Sequence, residues 1–138
     1  MSTTAFILVK HHAKKAGDHF DLRFRIPDSK MWISFATKKE IPLNENSKKI
    51  ILFRTHDHSE SQALTLAKIE KGYGEGTYTK FDSGACDVLK FEPPRHIVVD
   101  FKGNKLKGRY HFVSARFIFK NREGNTKFES YLFFKSNK

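Results

Sequence analysis

The sequence contains very little cysteine and no long hydrophobic run. Cys86 is the only cysteine among 138 residues, so no disulfide can form within the chain, which excludes a secreted scaffold held by disulfides. The apolar run AFILV at residues 5–9 is too short for a transmembrane helix or for a signal peptide. We therefore expect a cytoplasmic protein, or a nuclear one in a nucleated cell.

Acidic residues are also scarce relative to basic ones. The chain has 15 Asp and Glu against 26 Lys and Arg, a formal charge of +11. Such an excess repels itself unless a polyanion neutralises it, so we expect a nucleic-acid partner; a solubility role and loose binding to acidic lipids are the alternatives. The sequence has no basic amphipathic helix for a membrane surface and no heptad pattern, so we expect a monomer without a membrane partner.

Apolar residues mostly recur in short runs or with period two, between Gly, Asn, Asp and Pro, which predicts strands rather than helices. Because a second core would leave each half too small to bury enough surface, we predict one domain over residues 1–138. Its fold should be mainly β, with about eight strands and one or two short helices. The predicted strand segments are 5–10, 19–26, 31–36, 49–55, 76–81, 88–92, 96–101, 108–119 (with a break) and 127–135.

Local signals predict how these segments are joined. Gly103-Asn104 and Gly124-Asn125 favour hairpin turns, because Gly and Asn tolerate positive φ. Pro93-Pro94 should end a strand. Ser59 with Gln62 three residues later resembles a capping box, so a short helix, or otherwise a loop, is expected after Ser59. The glycine-rich residues 72–76 are expected to form a tight turn.

The densest group of reactive side chains is KHHAKKAGDHFDLRF, residues 10–24. In a strand, period-two alternation puts His19, Asp21 and Arg23 on one face and three apolar residues on the other. Imidazole and carboxylate suit Mn²⁺, Zn²⁺ or Fe²⁺, and His11 or His12 at the end of the preceding strand would complete the ligand set. An exposed polar face of an edge strand is the alternative interpretation.

Two other segments are candidates for contacts with phosphate. The run THDHSE at residues 55–60 places His56 and His58 on one face, where either histidine could bind phosphate or act as a general acid. The run KGNKLKGRYHF at residues 102–112 joins a basic turn to aromatic residues, a pattern consistent with following a nucleic-acid backbone. A polar strand end and a solvated hairpin are the respective alternatives. No nucleophile elbow surrounds a Ser or Cys, so covalent catalysis gains no support.

The chain resembles the 3′-phosphoesterase domain of bacterial end-joining DNA ligases, which also occurs as a stand-alone protein. The likeness extends over nearly the whole chain and is strongest in FILVKHHAKK and HFDLRF. THDHS, GYGEGTYTKFDSG, NKLKGRYHFV and ESYLFFK follow in the family's order.

The resemblance implies a β-barrel-like fold and removal of a 3′-phosphate or 3′-ribonucleotide to leave a 3′-hydroxyl in DNA repair. It implies His11, His19 and Asp21 as ligands of a divalent metal, with Mn²⁺ expected and Zn²⁺ the alternative. Arg23 and His58 match the groups that act on the phosphate, and His12 is the alternative ligand. Further expected contacts to phosphate or nucleic acid are His12, Lys38, His56, Gln62, Lys105, Lys107 and Arg109.

The chain departs from the family pattern at three places. Gln62 stands where the family usually has Tyr, and His56 and Arg25 stand where it has acidic residues. The family's Trp-x-x-Pro-Lys segment is reduced to residues 32–36, leaving Lys38 as the replacement for its lysine. Two hypotheses follow: a metal-dependent hydrolase acting on DNA or RNA 3′ ends, with a DNA ligase as candidate partner, or a catalytically weakened module or repair adaptor that only binds those ends.

Overall fold

The structure, a computed structural model, describes residues 2–13, 17–64, 76–120 and 127–136. Within these ranges the chain forms a closed antiparallel barrel and one short helix. The predicted mainly β, barrel-like fold is therefore confirmed. The strands are β1 (Ser2–Ala13), β2 (Gly17–Arg25), β3 (Trp32–Thr37), β4 (Ile50–Arg54), β5 (Gly76–Glu92), β6 (His96–Lys102), β7 (Lys107–Lys120) and β8 (Lys127–Lys135), and the helix is α1 (Glu60–Ala63).

The barrel closes because β1 pairs with β2 on one side and with β5 on the other, giving the order β1-β2-β3-β4-β8-β7-β6-β5. Even-numbered residues of β1 and β2 point inward, as do alternate residues of the other strands. They form one core rich in phenylalanine, in which Phe24, Phe35 and Phe112 lie within ring-contact distance of one another. Within the described residues, each strand of the closed barrel pairs with a neighbour on both sides.

The predicted strand segments differ from the observed ones at several boundaries. Residues 76–81 and 88–92, predicted as two strands, are parts of the single strand β5. This long strand pairs with both β1 and β6. The pairing register shifts at Leu8/Val9 and at Val88/Lys90, and the period-two pattern of the sequence does not predict such shifts. The predicted break in residues 108–119 corresponds to a register shift between Ser114 and Ile118 in β7.

The predicted connections have mixed outcomes. Gly103-Asn104 lies in the β6–β7 hairpin, and β5 ends at Glu92, just before Pro93-Pro94. The capping box is present, since Ser59 accepts from the Gln62 backbone N–H while its own N–H donates to the Gln62 side chain. The predicted turns at residues 72–75 and at Gly124-Asn125 lie outside the described residues. No described helix has the length and apolarity needed to cross a membrane.

The β6–β7 hairpin is tied to the barrel by one buried carboxylate. Asp82, which is 5% exposed, accepts backbone N–H bonds from Ser83, Asn104, Lys105 and Leu106. Burial alone would raise the pKa of Asp82, but these four donors hold it below its ordinary value. Leu106 is thereby held buried in the core, closing the barrel at the end where β1 finishes and β2 begins.

Candidate metal centre

The candidate centre lies on the outer face of the barrel, where β1, β2 and β5 run side by side. Phe20, Leu22 and Phe24 of β2 point into the core, so the intervening residues of the strand face outward. In the β1–β2 register His11 pairs directly with His19. Register and alternation together bring three polar side chains from two strands to one place.

His11, His19 and Asp21 each direct a ligand atom into a group in which these atoms lie within 4.8 Å of one another. Nδ1 of His11 is 3.2 Å from Nε2 of His19, and the same Nε2 is 3.5 Å from Oδ1 of Asp21. The rings of the two histidines meet edge to face. His11 is 4% exposed and Asp21 8% exposed, so the donor atoms are largely withdrawn from water.

The Asp21 carboxylate changes the protonation behaviour of His19. The hydrogen bond to Asp21 raises the pKa of His19 above its ordinary value, although burial opposes that shift and Lys38 lowers it slightly. When Nε2 of His19 carries a proton, that proton lies between the Asp21 carboxylate and His11. A divalent cation would satisfy the same three donors by replacing that proton.

The donor set fits a divalent metal. Two imidazole nitrogens and one carboxylate oxygen, converging from adjacent strands, are ligands that Mn²⁺, Zn²⁺ and Fe²⁺ all accept. Three protein ligands on one side of such an ion leave positions for water or a phosphate oxygen. The identity of the metal stays a prediction.

Arg23 follows Asp21 on the same face and is only 5% exposed. Its Nη1 donates to the carbonyl oxygen of Ala63 at 2.6 Å, and its Nη2 is 3.4 Å from Oδ2 of Asp21. Its Nε is buried without a partner in the described part of the chain. The guanidinium is thus fixed beside the candidate metal ligands, beneath the segment that carries α1.

His58 belongs to the segment that covers this face. Its backbone forms an isolated antiparallel bridge with Trp32, at 2.8 and 2.9 Å, and Trp32 packs outside the barrel with Ile7, Val9 and Ala63. Burial and the neighbouring Arg23 lower the pKa of His58. His58 is therefore neutral near pH 7 and lies within electrostatic reach of Arg23 and Asp21.

Some predicted contacts lie elsewhere. His12 points to the opposite face of β1 from His11 and lies 3.3 Å from Asp18, so the geometry favours His11 as the ligand. The side chain of Gln62 is used in capping α1. Lys38 and His56 are exposed, and each lowers the pKa of a neighbouring site histidine, His19 and His58 respectively.

The predicted basic run lies in and beside the β6–β7 hairpin, not beside the ligands. Lys105 and Lys107 are exposed, and Nζ of Lys105 sits 4.3 Å from the ring centre of Phe81. Arg109 pairs with Asp100 at 2.9 Å, which neutralises part of its charge. The hairpin closes the barrel end nearest the candidate centre, so its lysines border the same end of the molecule.

The sequence did not single out Tyr78, which the structure places in the centre. Tyr78 pairs with His11 across β1 and β5, and the two rings stack at 4.2 Å between centroids. The predicted strand over residues 76–81 contained this tyrosine. A strand prediction does not reveal the neighbouring strand, so no signal linked Tyr78 to His11.

Residues 9–114 match the family model described as the DNA ligase D 3′-phosphoesterase domain. This range covers most of the chain and contains every side chain of the candidate centre. No curated protein matches the sequence.

Proposed function

The chain belongs to the DNA ligase D 3′-phosphoesterase domain family, and on that premise we propose that it is a divalent-metal-dependent hydrolase of nucleic-acid 3′ ends. Its substrates would be ends that carry a 3′-phosphate or a 3′-ribonucleotide, and its product a 3′-hydroxyl. The observation that carries the proposal is the convergence of His11, His19 and Asp21 beside the fixed cation of Arg23.

His11, His19 and Asp21 would hold the metal, with Mn²⁺ expected and Zn²⁺ the alternative. Bound there, a divalent ion would supply Lewis-acid polarisation of a phosphoryl oxygen and a lowered pKa for a coordinated water. The chain's own contribution is a rigid donor set: two ligands come from one strand and the third from its directly paired neighbour. Such placement on strands fixes the ligands better than a loop would.

Arg23 and His58 would act on the phosphate itself. Arg23 offsets negative charge that develops on the phosphoryl oxygens as water adds to phosphorus and the bond to the leaving oxygen breaks. The leaving oxygen is O5′ of the terminal nucleoside for a 3′-ribonucleotide, which leaves a 3′-phosphate, and O3′ when that phosphate is removed. His58, whose pKa is lowered in the free protein, would gain a proton when the anionic phosphate arrives, because a nearby negative charge favours the imidazolium. It would then donate that proton to the leaving oxygen.

Surface lysines would position the nucleic-acid strand. Lys38 lies close enough to His19 to affect its pKa, and Lys105 and Lys107 are exposed on the hairpin at the same barrel end. Contacts of this kind release counterions, so binding should weaken steeply with rising salt. A DNA ligase is the candidate protein partner, and we place the chain in the cytoplasm, or in the nucleus of a nucleated cell.

One observation favours the second candidate function, an end-binding module with weakened catalysis. Arg23 already donates to the Ala63 carbonyl at 2.6 Å, and a phosphate would have to displace that acceptor or bind beside it. Gln62, which stands where the family usually has Tyr, uses its side-chain oxygen to accept the Ser59 N–H in the cap of α1. A module of this kind would bind ends through its basic surface without cleaving them.

The test is release of inorganic phosphate and of a terminal nucleoside from primer-templates ending in a 3′-phosphate or a 3′-ribonucleotide. Each reaction would be run with Mn²⁺, Zn²⁺ or a chelator. His19→Ala should abolish turnover because it removes the ligand between His11 and Asp21. His96→Gln, which alters a histidine that pairs with Glu92 at the other end of β5 from Tyr78, should leave turnover unchanged.

Metal-dependent turnover that disappears in His19→Ala alone would support the hydrolase. Absence of turnover with either metal, together with tight and salt-sensitive binding to the same ends, would instead favour the end-binding module. Equal turnover in His19→Ala and the wild type would reject the assignment of this site.

A further inference from the structure

Tyr78 is held rigidly beside the candidate centre. Its ring stacks on His11, 4.2 Å between centroids and 17° from parallel, and packs against the outer cluster of Ile7, Val9, Trp32 and Ala63. Cζ of Arg23 lies 5.7 Å from the ring centre. Strand pairing fixes the backbone of Tyr78 and ring packing fixes its side chain. Its hydroxyl therefore loses little conformational entropy when it makes a further contact.

The hydroxyl of Tyr78 differs from those of two other tyrosines. The Tyr110 hydroxyl donates to the carbonyl oxygen of Pro42 at 2.6 Å, and the Tyr131 hydroxyl donates to Glu129 at 2.5 Å. In the described part of the chain the Tyr78 hydroxyl makes no hydrogen bond. Since it is not among the fully buried unpartnered atoms either, it is open to an incoming group.

A second donor without a partner lies in the same place. Nε of Arg23 is buried and has no hydrogen-bond partner among the described residues. Buried donors of charged groups are rarely left unpaired, because the cost of desolvation is then uncompensated. The Tyr78 hydroxyl, beside the guanidinium of Arg23, suits an acceptor that carries negative charge.

A tyrosine hydroxyl has an ordinary pKa of about 10 and carries its proton at neutral pH. At neutral pH the group is therefore a hydrogen-bond donor. A phosphate oxygen, which accepts but does not donate when ionised, is the matching chemistry.

We propose that Tyr78 is a phosphate-binding residue whose hydroxyl, together with Arg23, holds the terminal 3′-phosphate of the nucleic acid beside His11. This inference rests on the proposed function for the identity of the ligand. It adds to that function a contact that discriminates a 3′-phosphate end from a 3′-hydroxyl end. Tyr78 would thus act in recognition whether or not hydrolysis follows.

The test uses Tyr78→Phe, which removes only the hydroxyl and keeps the ring on His11. Tyr110→Phe is the matched control, since it removes a tyrosine hydroxyl bonded to Pro42 and away from the centre. Two identical fluorescent duplexes, one ending in a 3′-phosphate and one in a 3′-hydroxyl, would be titrated by anisotropy with chelator present. Turnover of the 3′-phosphate duplex would then be measured with Mn²⁺, with Mn²⁺ affinity and thermal unfolding as checks of the fold.

We expect Tyr78→Phe to lose on the order of tenfold in affinity for the 3′-phosphate duplex, the size expected for a hydrogen bond to a charged group. Affinity for the 3′-hydroxyl duplex and for Mn²⁺ should stay unchanged, and any turnover should show a raised KM. Tyr110→Phe should keep the phosphate preference of the wild type.

The outcomes separate this inference from the proposed function. A wild type that prefers the 3′-phosphate, with Tyr78→Phe showing the same preference, would overturn the role of Tyr78 and leave the proposed hydrolase intact. Loss of preference in Tyr78→Phe without turnover in the wild type would support Tyr78 and reject the hydrolase. A wild type with no preference for the phosphate end would overturn the role of Tyr78 whatever its turnover.

Discussion

Two pairs of histidines lie on the outer face of the barrel, and only one of them forms part of a candidate metal centre. Nδ1 of His11 and Nε2 of His19 are 3.2 Å apart, while Nε2 of His96 and Nδ1 of His111 are 3.0 Å apart. The separation of the nitrogens is nearly the same. Proximity of two imidazoles therefore does not distinguish the pairs.

The neighbouring charges do distinguish them. Asp21 raises the pKa of His19 against the effect of burial. Burial lowers the pKa values of both His96 and His111. Lys90 adds to that effect on His96, where Glu92 opposes it, and His96 and Arg109 add to it on His111. In the described ranges the group of His11, His19 and Asp21 is the one set of three suitable ligands. A third, anionic ligand makes the difference between a stacked pair and a metal site.

The surroundings of the two pairs also differ. His111 stacks on Phe134, 5.4 Å between ring centres, and pairs across β6 and β7 with the largely buried Val98. His11 stacks on Tyr78 and lies near the charged Asp21 and Arg23. The first environment suits packing of neutral rings, and the second suits binding of ions.

The largest expected effect comes from removing the anionic ligand. Asp21→Asn should lower Mn²⁺ affinity by about 100-fold or more, because it removes a ligand charge and the partner of both His19 and Arg23. The affinity would be measured by titration calorimetry. His96→Gln serves as the control for loss of a paired histidine.

A smaller loss of affinity in Asp21→Asn than in His96→Gln would show that the carboxylate does not define the centre. Circular dichroism would confirm that Asp21→Asn still folds, since Arg23 loses an ionic partner in this variant.

The second prediction adds a carboxylate to the other pair. Val98 lies two residues after His96 on the same face and directly opposite His111, which parallels the place of Asp21 two residues after His19. Val98→Asp should raise the pKa values of both histidines and create weak Zn²⁺ binding at that face. The cost should be about 1–3 kcal/mol of unfolding free energy, because the position is largely buried.

Zn²⁺ binding would be followed in Val98→Asp/His19→Ala, where the first centre is disabled. If this double variant binds no more Zn²⁺ than His19→Ala, then a carboxylate two residues after a histidine is not sufficient to create a metal site. The orientation of the imidazole rings would then be the deciding factor.

The smallest expected effect is a difference in titration. In metal-free protein, His19 should titrate above the ordinary value of 6.5 and His96 and His111 below it, which NMR of the ring protons would measure. The raised pKa of His19 means that its stabilising contribution is complete below pH 6.5 and is lost as the pH rises through its folded pKa. The lowered pKa values of the second pair mean that stability is lost as the pH falls below 6.5.

At the centre of His11, His19 and Asp21, Mn²⁺ affinity should rise with pH, whereas the stabilising contribution of His19 falls. Because the proton on His19 must leave before the ion binds, Mn²⁺ affinity should rise as the pH rises through the pKa of His19. A shared pKa for all three histidines would remove the electrostatic difference on which the comparison depends.

Period-two alternation in residues 19–24 was enough to predict which side chains of β2 share the outer face. It also gave the general β class, and the capping-box pattern correctly predicted α1. It did not predict that residues 76–92 form one strand, because register shifts in a curved sheet interrupt the alternation.

The sequence by itself determined the local chemistry of this protein, namely its excess of positive charge and the order of His, Asp and Arg along β2. Those properties depend on composition and on the two-residue repeat of a strand, which neighbouring residues fix. Only the tertiary structure decided that His11 meets His19, that Ala63 covers Arg23 and that Tyr78 stacks beside them. The contacts of Ala63 and Tyr78 join residues far apart in the chain, and strand register and barrel closure, not local preference, bring all three contacts together.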